Sequence, residues 1–207
     1  MNFLAHAIFA DTRRDVLFGS IAGDFVGKMD KKLVPREIRD GLKLHNDLDV
    51  FFDNLEFSKS RKSLREAVNH YQSPVLDICC DHVFVSQWKL LFKNRVENYV
   101  PGIYSLLMDK HNILPVNGQN MMSGLVREDW FTTYGTKEGL EKALNRMSTR
   151  AMRGEIIRDG IDEIFKTIPI IQDELLTIVP MIRKHTQDYM NELGYESEGR
   201  VCWKERI

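Results

Sequence analysis

The segment Asp77 to Trp88, DICCDHVFVSQW, places Asp77, Asp81 and His82 within an otherwise apolar run. In a helix, which advances 100° per residue, Asp77 and Asp81 share one face with large apolar side chains. Carboxylates on such a face must be paired, hydrogen-bonded or bound to a cation, because burial disfavours their charged form. The segment therefore predicts a helix with a polar centre on its buried side.

A second segment, Pro35 to Asn54, has the same property: His45 and Asp49 lie four residues apart on its apolar face. A third acid, Asp24, belongs to a predicted helix over residues 13–27, whose glycines recur every four residues and allow another backbone to approach closely. Imidazole and carboxylate groups together suit manganese, iron, zinc or magnesium. The residues alone predict a metal or acid/base centre between these helices, with ion pairs to Arg or Lys as the alternative.

Composition narrows the class of protein. A length of 207 residues fits one domain, and a net charge of -1 gives no overall attraction to nucleic acid or to a membrane surface. No apolar run approaches the roughly 18 residues of a membrane span, and the opening residues lack a basic secretory leader. The three cysteines form no CxxC motif, which argues against a zinc ribbon and favours free thiols in a reducing cytoplasm.

Helical periodicity extends over almost the whole chain and predicts an all-α single-domain bundle over residues 1–207, with an irregular tail over 194–207. The predicted helices are 2–10, 13–27, 35–54, 57–71, 73–88, 96–110, 125–134, 136–153, 155–168 and 169–193. Residues 112–123 are rich in Pro, Asn, Gly and Met. We expect them to form a loop, and a loop of this kind is a candidate lid or substrate-binding element.

A basic stripe forms a second constellation. Arg146, Arg150 and Arg153 recur at i, i+4 and i+7 in the predicted helix over 136–153, and no acid stands four residues before any of them. Guanidinium groups in such a row suit phosphate or carboxylate. The alternative is a solvated helix face without a ligand.

Several motifs, in chain order, resemble the acyl carrier protein phosphodiesterases. They are MNFLAH at the start, GDFV at 23–26, LH..LD..FDN at 44–54, LD...DH.....W at 76–88 and WF..Y...E.....L.RMS.R..R at 130–153. The resemblance implies hydrolysis of the phosphodiester that joins 4′-phosphopantetheine to a serine of holo-acyl carrier protein. It also implies a fold like that of the HD-domain metal-dependent phosphohydrolases, served by manganese. The adjacent pair here is Asp81-His82, acid first, which inverts the usual HD order.

Combining the residues with the resemblance assigns roles to the candidates. The predicted metal ligands are His45, Asp81, His82, Asp24 and Asp77. Asp24 and Asp49 are the predicted catalytic acids that orient the attacking water or take its proton. His6 is expected to lie behind the ligands or to protonate the leaving serine oxygen. The predicted phosphate- or carrier-binding residues are Arg146, Arg150 and Arg153.

Two other functions are compatible with the residues. One is a metal phosphohydrolase acting on a nucleotide or another small phosphoester. The other is a non-catalytic helical binding module whose acids and histidines form only an ion-pair network.

Overall fold

The computed structural model describes residues 1–27 and 33–204, which are almost entirely helical. The α-helices are α1 (Phe3–Phe9), α2 (Arg14–Ala22), α3 (Arg36–Asp53), α4 (Ser58–Val68), α5 (Gln72–Ser86), α6 (Trp88–Leu91), α7 (Val96–Lys110), α8 (Val116–Arg127), α9 (Trp130–Thr133), α10 (Lys137–Arg150), α11 (Glu155–Asp159) and α12 (Ile161–Glu192). Within the described ranges the only β-type pairing is an isolated bridge between Phe92 and Trp203. The all-α prediction is confirmed.

Helices α2 and α3 pack closely because glycines face each other at their crossing. A Cβ atom added at Gly19 would lie 2.2 Å from the Ile38 carbonyl oxygen, and one added at Gly41 would lie 2.1 Å from the Val16 carbonyl oxygen. Only glycine allows the two backbones to come this close. The close approach also carries Asp24, in a 3-10 turn directly after α2, alongside α3.

Helix α5 lies at the centre of the bundle and packs against α1, α4, α10 and α12. Its buried Asp81 accepts hydrogen bonds from the backbone N–H groups of Leu4 (3.0 Å) and Ala5 (2.9 Å). Asp81 thereby satisfies two of the N–H groups that a helix leaves without partners at its start. The carboxylate fixes the first turn of α1 on α5. The neighbouring Cys79 and Cys80 are buried free thiols.

The predicted loop over residues 112–123 is wrong for most of its length, because α8 begins at Val116. Pro115 precedes the helix, a position where its missing N–H costs nothing. Gly118 packs so tightly against the Phe25 carbonyl that an added Cβ would lie 2.4 Å from the oxygen, and Met122 is fully buried. Tertiary packing therefore overrides the weak local helix propensity of this segment.

The predicted break at Pro169 is also wrong, because α12 continues through both Pro169 and Pro180 for 32 residues. Both prolines lie on the exposed face of the helix. Water can hydrogen-bond the carbonyl that each proline leaves without an N–H partner, and the buried apolar face holds the helix together. In contrast, α10 is shorter than predicted, ending at Arg150.

The described part of the tail, Gly194 to Lys204, is irregular and well anchored, and residues 205–207 of the predicted tail lie outside the described residues. The Asp11 carboxylate, which follows α1, accepts hydrogen bonds from the backbone N–H groups of Arg200 (3.2 Å) and Val201 (3.1 Å). Trp203 stacks on Phe9. Among the described residues, no helix has the length and apolarity needed to cross a membrane.

Candidate active site

Four side chains from three elements meet beside the second half of α3. His45 and Asp49 project from α3, His6 from α1 and Asp24 from the 3-10 turn after α2. The His45 Nε2 atom lies 3.2 Å from Asp49 Oδ2 and 3.5 Å from Asp24 Oδ1. The His6 Nε2 atom lies 3.1 Å from Asp49 Oδ1. His6, His45 and Asp49 each offer one atom to a group whose members all lie within 4.8 Å of one another.

The hydrogen bond on the far side of His45 fixes how this imidazole can act. Its Nδ1 atom lies 2.8 Å from the Ser20 carbonyl oxygen and so carries a hydrogen. A neutral ring then has a bare lone pair on Nε2, pointing at two carboxylates, an arrangement that is repulsive unless a proton or a metal cation lies between them. Burial lowers the pKa of His45, but the hydrogen bond with Asp24 and the charge of Asp49 outweigh burial and raise it.

This arrangement fits a divalent cation. A metal-bound histidine ordinarily donates its other ring N–H to a carbonyl or carboxylate, as His45 does to Ser20. The carboxylates of Asp49 and Asp24 add the oxygen ligands that manganese or magnesium prefers. His45, Asp49 and Asp24 are therefore the residues that could hold a metal here.

His6 supports Asp49 from the interior. The ring is fully buried and stacks on His45 with 4.0 Å between centroids. Its Nδ1 atom has no hydrogen-bond partner among the described residues. Burying a bare ring nitrogen without a partner costs less than burying an N–H group without an acceptor. The hydrogen therefore belongs on Nε2, which donates it to Asp49. Burial lowers the pKa of His6 to about 4, which keeps the ring neutral.

A further acid, Asp77, lies close to Asp49. The Met1 amino group lies 2.8 Å from Asp49 Oδ1 and 3.6 Å from Asp77 Oδ1. Burial alone would raise the pKa of Asp49, but His6 and the Met1 amino group reverse this and hold it below its usual range. At Asp77 burial dominates and raises the pKa to about 6. The two acids therefore differ in their readiness to carry a proton.

A cavity of about 420 Å³ opens beside this cluster. Asp24 and Asp77 line it together with Arg146 and Arg150, and apolar groups form most of the remaining wall. The apolar lining residues include Phe3, Ile78, Met121, Trp130, Ala143 and Met147. The cavity can thus hold a partly apolar ligand between carboxylates and guanidinium groups.

The structure does not bring Asp81 and His82 into the cluster, contrary to the arrangement expected of them as ligands. Both Asp81 oxygens accept hydrogen bonds from the start of α1. The Nδ1 atom of His82 lies 2.6 Å from the Tyr134 carbonyl oxygen, on another side of α5. A helix turns by about 100° per residue, so His82, five residues after Asp77, points about 140° away from it around α5. Asp77 therefore faces the cavity while His82 does not.

The arginine stripe differs from its prediction in two ways. Arg153 lies beyond the end of α10, with a left-handed φ of 61°, so it does not continue the helix face. Arg146 is also not uncompensated, because its Nη1 atom lies 3.0 Å from Glu128 Oε2. That partner comes from the turn between α8 and α9, where spacing within α10 could not reveal it.

The cavity-wall residues that sequence reasoning missed include Asn2, Trp130 and Tyr134. All three belong to motifs that carry the resemblance, MNFLAH and WF..Y. The motifs were the only signal that could have pointed to them, because none of the three interrupts an apolar pattern as the acids do.

Comparison with known proteins shows the family of the chain. Residues 1–182 match the family described as acyl carrier protein phosphodiesterase. The chain belongs to this family. A relative from Klebsiella pneumoniae with that name is 29% identical over 170 residues, which covers 79% of this chain and 86% of the relative. An Escherichia coli relative of the same name is 27% identical over 162 residues, covering 77% and 84%.

Membership makes the chain a phosphodiesterase, a hydrolase that acts on phosphodiester bonds, and it confirms the resemblance seen in the motifs. No solved structure matches the chain significantly. The HD-like character of the fold therefore stays a prediction.

Substitution of Asp81 tests whether its buried carboxylate stabilises the fold or binds a metal. Asp81→Ala leaves two buried N–H groups without acceptors, so we expect the free energy of unfolding to fall by about 1–3 kcal/mol. The folded variant and wild type should take up equal amounts of manganese, because Asp81 lies outside the cluster. Urea denaturation and metal titration measure the two quantities. Loss of metal uptake at unchanged stability would instead make Asp81 a ligand.

Proposed function

We propose that this phosphodiesterase is a metal-dependent enzyme that releases 4′-phosphopantetheine from holo-acyl carrier protein and leaves the apo protein. The observation that carries the proposal is the position of the His45 Nε2 atom between the carboxylates of Asp49 and Asp24 beside the cavity, with Nδ1 held by the Ser20 carbonyl. The names of the relatives supply the substrate.

The cation would be held by His45, Asp49 and Asp24. We favour manganese, with magnesium, iron or zinc as alternatives that share these donor types. A divalent ion at this position would polarise a phosphoryl oxygen and lower the pKa of its water ligand.

The side chains around the cluster would orient a ligand, accept the proton of the attacking water and protonate the leaving group. A hydrogen bond from His6 Nε2 orients Asp49. Asp24 is half exposed at the cavity, so a carboxylate oxygen of Asp24 that does not bind the cation would be free to accept the proton of the attacking water. Asp77 also lines the cavity and is protonated near neutral pH more readily than an ordinary acid, so it can protonate the leaving serine oxygen. His6 is less suited to that step because it is fully buried and faces Asp49.

The mouth of the cavity suits an acidic protein partner. Arg150 is exposed and lines the cavity, and Arg153 follows it on the surface. The apolar wall would take the pantetheine arm while the arginines meet acidic groups of the carrier protein, since complementary charges steer association. A carrier protein of fatty acid biosynthesis as the substrate would also place the enzyme in the cytoplasm and in lipid metabolism.

Mass spectrometry of holo-acyl carrier protein tests the proposal. After incubation with the enzyme and manganese, the carrier should lose the mass of 4′-phosphopantetheine less that of one water, because water cleaves the phosphodiester and leaves the serine hydroxyl on the carrier. Omitting the metal, or adding a chelator, should abolish the change. An intact carrier under manganese, magnesium, iron and zinc would contradict the proposal, and cleavage of nucleotides in the same assay would indicate a small-phosphoester hydrolase instead.

A further inference from the structure

A set of hydrogen-bond donors lies in the cavity apart from the His45–Asp49 cluster. Asn2, Tyr134 and Arg146 all line the cavity wall. Asn2 is 9% exposed, and its side-chain nitrogen has no hydrogen-bond partner among the described residues. An unsatisfied buried donor costs free energy, so its presence in a cavity wall points to a ligand that supplies the acceptor.

Tyr134 joins the other two residues. It is 2% exposed, and burial raises the pKa of its hydroxyl well above the usual value, so the group stays protonated. Asn2 and Arg146 are near enough to the hydroxyl to act on its pKa in the opposite direction. The three polar groups therefore converge on one region of the cavity.

Arg146 is held in place before any ligand arrives. Its guanidinium lies over the Trp130 ring, 4.1 Å from the centroid, and is paired with Glu128. The same Glu128 oxygen accepts the indole N–H of Trp130 at 3.1 Å. A guanidinium has five N–H donors, so the contact with Glu128 leaves others for the cavity.

We propose that Asn2, Tyr134 and Arg146 form the phosphate-binding subsite of the cavity. The inference rests on the proposed function and adds the residues that hold the reacting group. A phosphodiester carries one negative charge shared by two non-bridging oxygens. One of these oxygens would face the His45–Asp49 cluster, while the other would accept hydrogen bonds from the three donors. A guanidinium is the natural partner for such an oxygen, because charge-assisted hydrogen bonds are the strong ones.

Binding of two probes isolates the phosphate. 4′-Phosphopantetheine and pantetheine differ only by that group, and calorimetry on the manganese-loaded enzyme gives the dissociation constant of each. We expect wild type to prefer the phosphorylated probe by about tenfold or more, since a hydrogen bond to a charged group contributes roughly 1.5–3 kcal/mol. The preference should fall most in Arg146→Gln and should also be reduced in Tyr134→Phe and Asn2→Ala. Pantetheine itself should bind all of these proteins alike.

Lys142→Gln is the matched control, because it removes the same charge from an exposed position of α10 that does not line the cavity. This variant should keep the full preference for the phosphorylated probe. Unchanged preference in the three subsite variants, or no preference in wild type, would overturn the subsite. If holo-acyl carrier protein is cleaved while the subsite variants bind like wild type, the subsite fails and the proposed function stands. If the carrier stays intact but the preference still depends on Arg146, the subsite stands and the proposed function fails.

Discussion

Asp49→Asn should reduce phosphodiester hydrolysis by about 10³-fold, since metal-assisted stabilisation of the transition state contributes several kcal/mol. Asp49 lies at the centre of the cluster: one oxygen faces His45, and the other faces His6 and the Met1 amino group. Asparagine keeps the shape of the side chain but removes the negative charge that would hold a divalent cation at His45. Steady-state turnover of holo-acyl carrier protein measures the loss.

Asp47→Asn is the control for this substitution. Asp47 lies on the same helix two residues earlier, and its carboxylate pairs with His185 at 2.6 Å, away from the cluster. The control makes the same chemical change, and turnover should stay near that of wild type. Equal turnover in Asp49→Asn and wild type would place the chemistry elsewhere in the chain.

Gly41→Ala should lower the free energy of unfolding by about 3 kcal/mol or more, because overpacking a tight contact forces backbone to move. The new Cβ would lie 2.1 Å from the Val16 carbonyl oxygen and 2.8 Å from the Gly19 Cα atom. Neither is the end of a flexible side chain, so α2 and α3 must separate. Since α3 carries His45 and Asp49 while Asp24 follows α2, separation should also reduce turnover. Urea denaturation measures the stability.

Gly124→Ala supplies the matched comparison. Gly124 lies inside α8, and an added Cβ there would meet nothing within 4 Å. Alanine in a helix interior should therefore raise the free energy of unfolding by up to about 1 kcal/mol. If the two variants have equal stability, the glycine contact between α2 and α3 is not what holds the helices at this distance.

The sequence predicted those features that local periodicity determines. Amphipathic spacing located α3, and the apolar run of residues 77–88 located α5. The acid and histidine on the apolar face of α3 are the ones that lie in the cluster. The glycine spacing before Asp24 predicted a close backbone approach, which Gly19 makes. In each case the residues that act together lie within one or two helical turns, so the spacing alone is informative.

Features that depend on contacts between distant segments could not be predicted in this way. Asp81 interrupts an apolar face just as Asp49 does, yet its partners are N–H groups 76 and 77 residues earlier in the chain. Glu128, in the turn between α8 and α9, pairs with Arg146, 18 residues later in α10. The same limit explains α12, where only the tertiary position of Pro169 and Pro180 on the solvent side shows that the helix continues.

Manganese binding to wild type and to His45→Gln tests the central proposal most directly. Free aqueous Mn²⁺ gives an electron paramagnetic resonance signal that weakens on binding, so a titration yields stoichiometry and affinity without any substrate. Wild type should bind manganese stoichiometrically. His45→Gln should lose about 100-fold or more in manganese affinity, because removal of a metal ligand should weaken binding at least as much as removal of a residue that only orients a ligand. Equal binding by the two proteins, or no stoichiometric binding by wild type, would contradict a metal centre at His45 and leave an ion-pair network in its place.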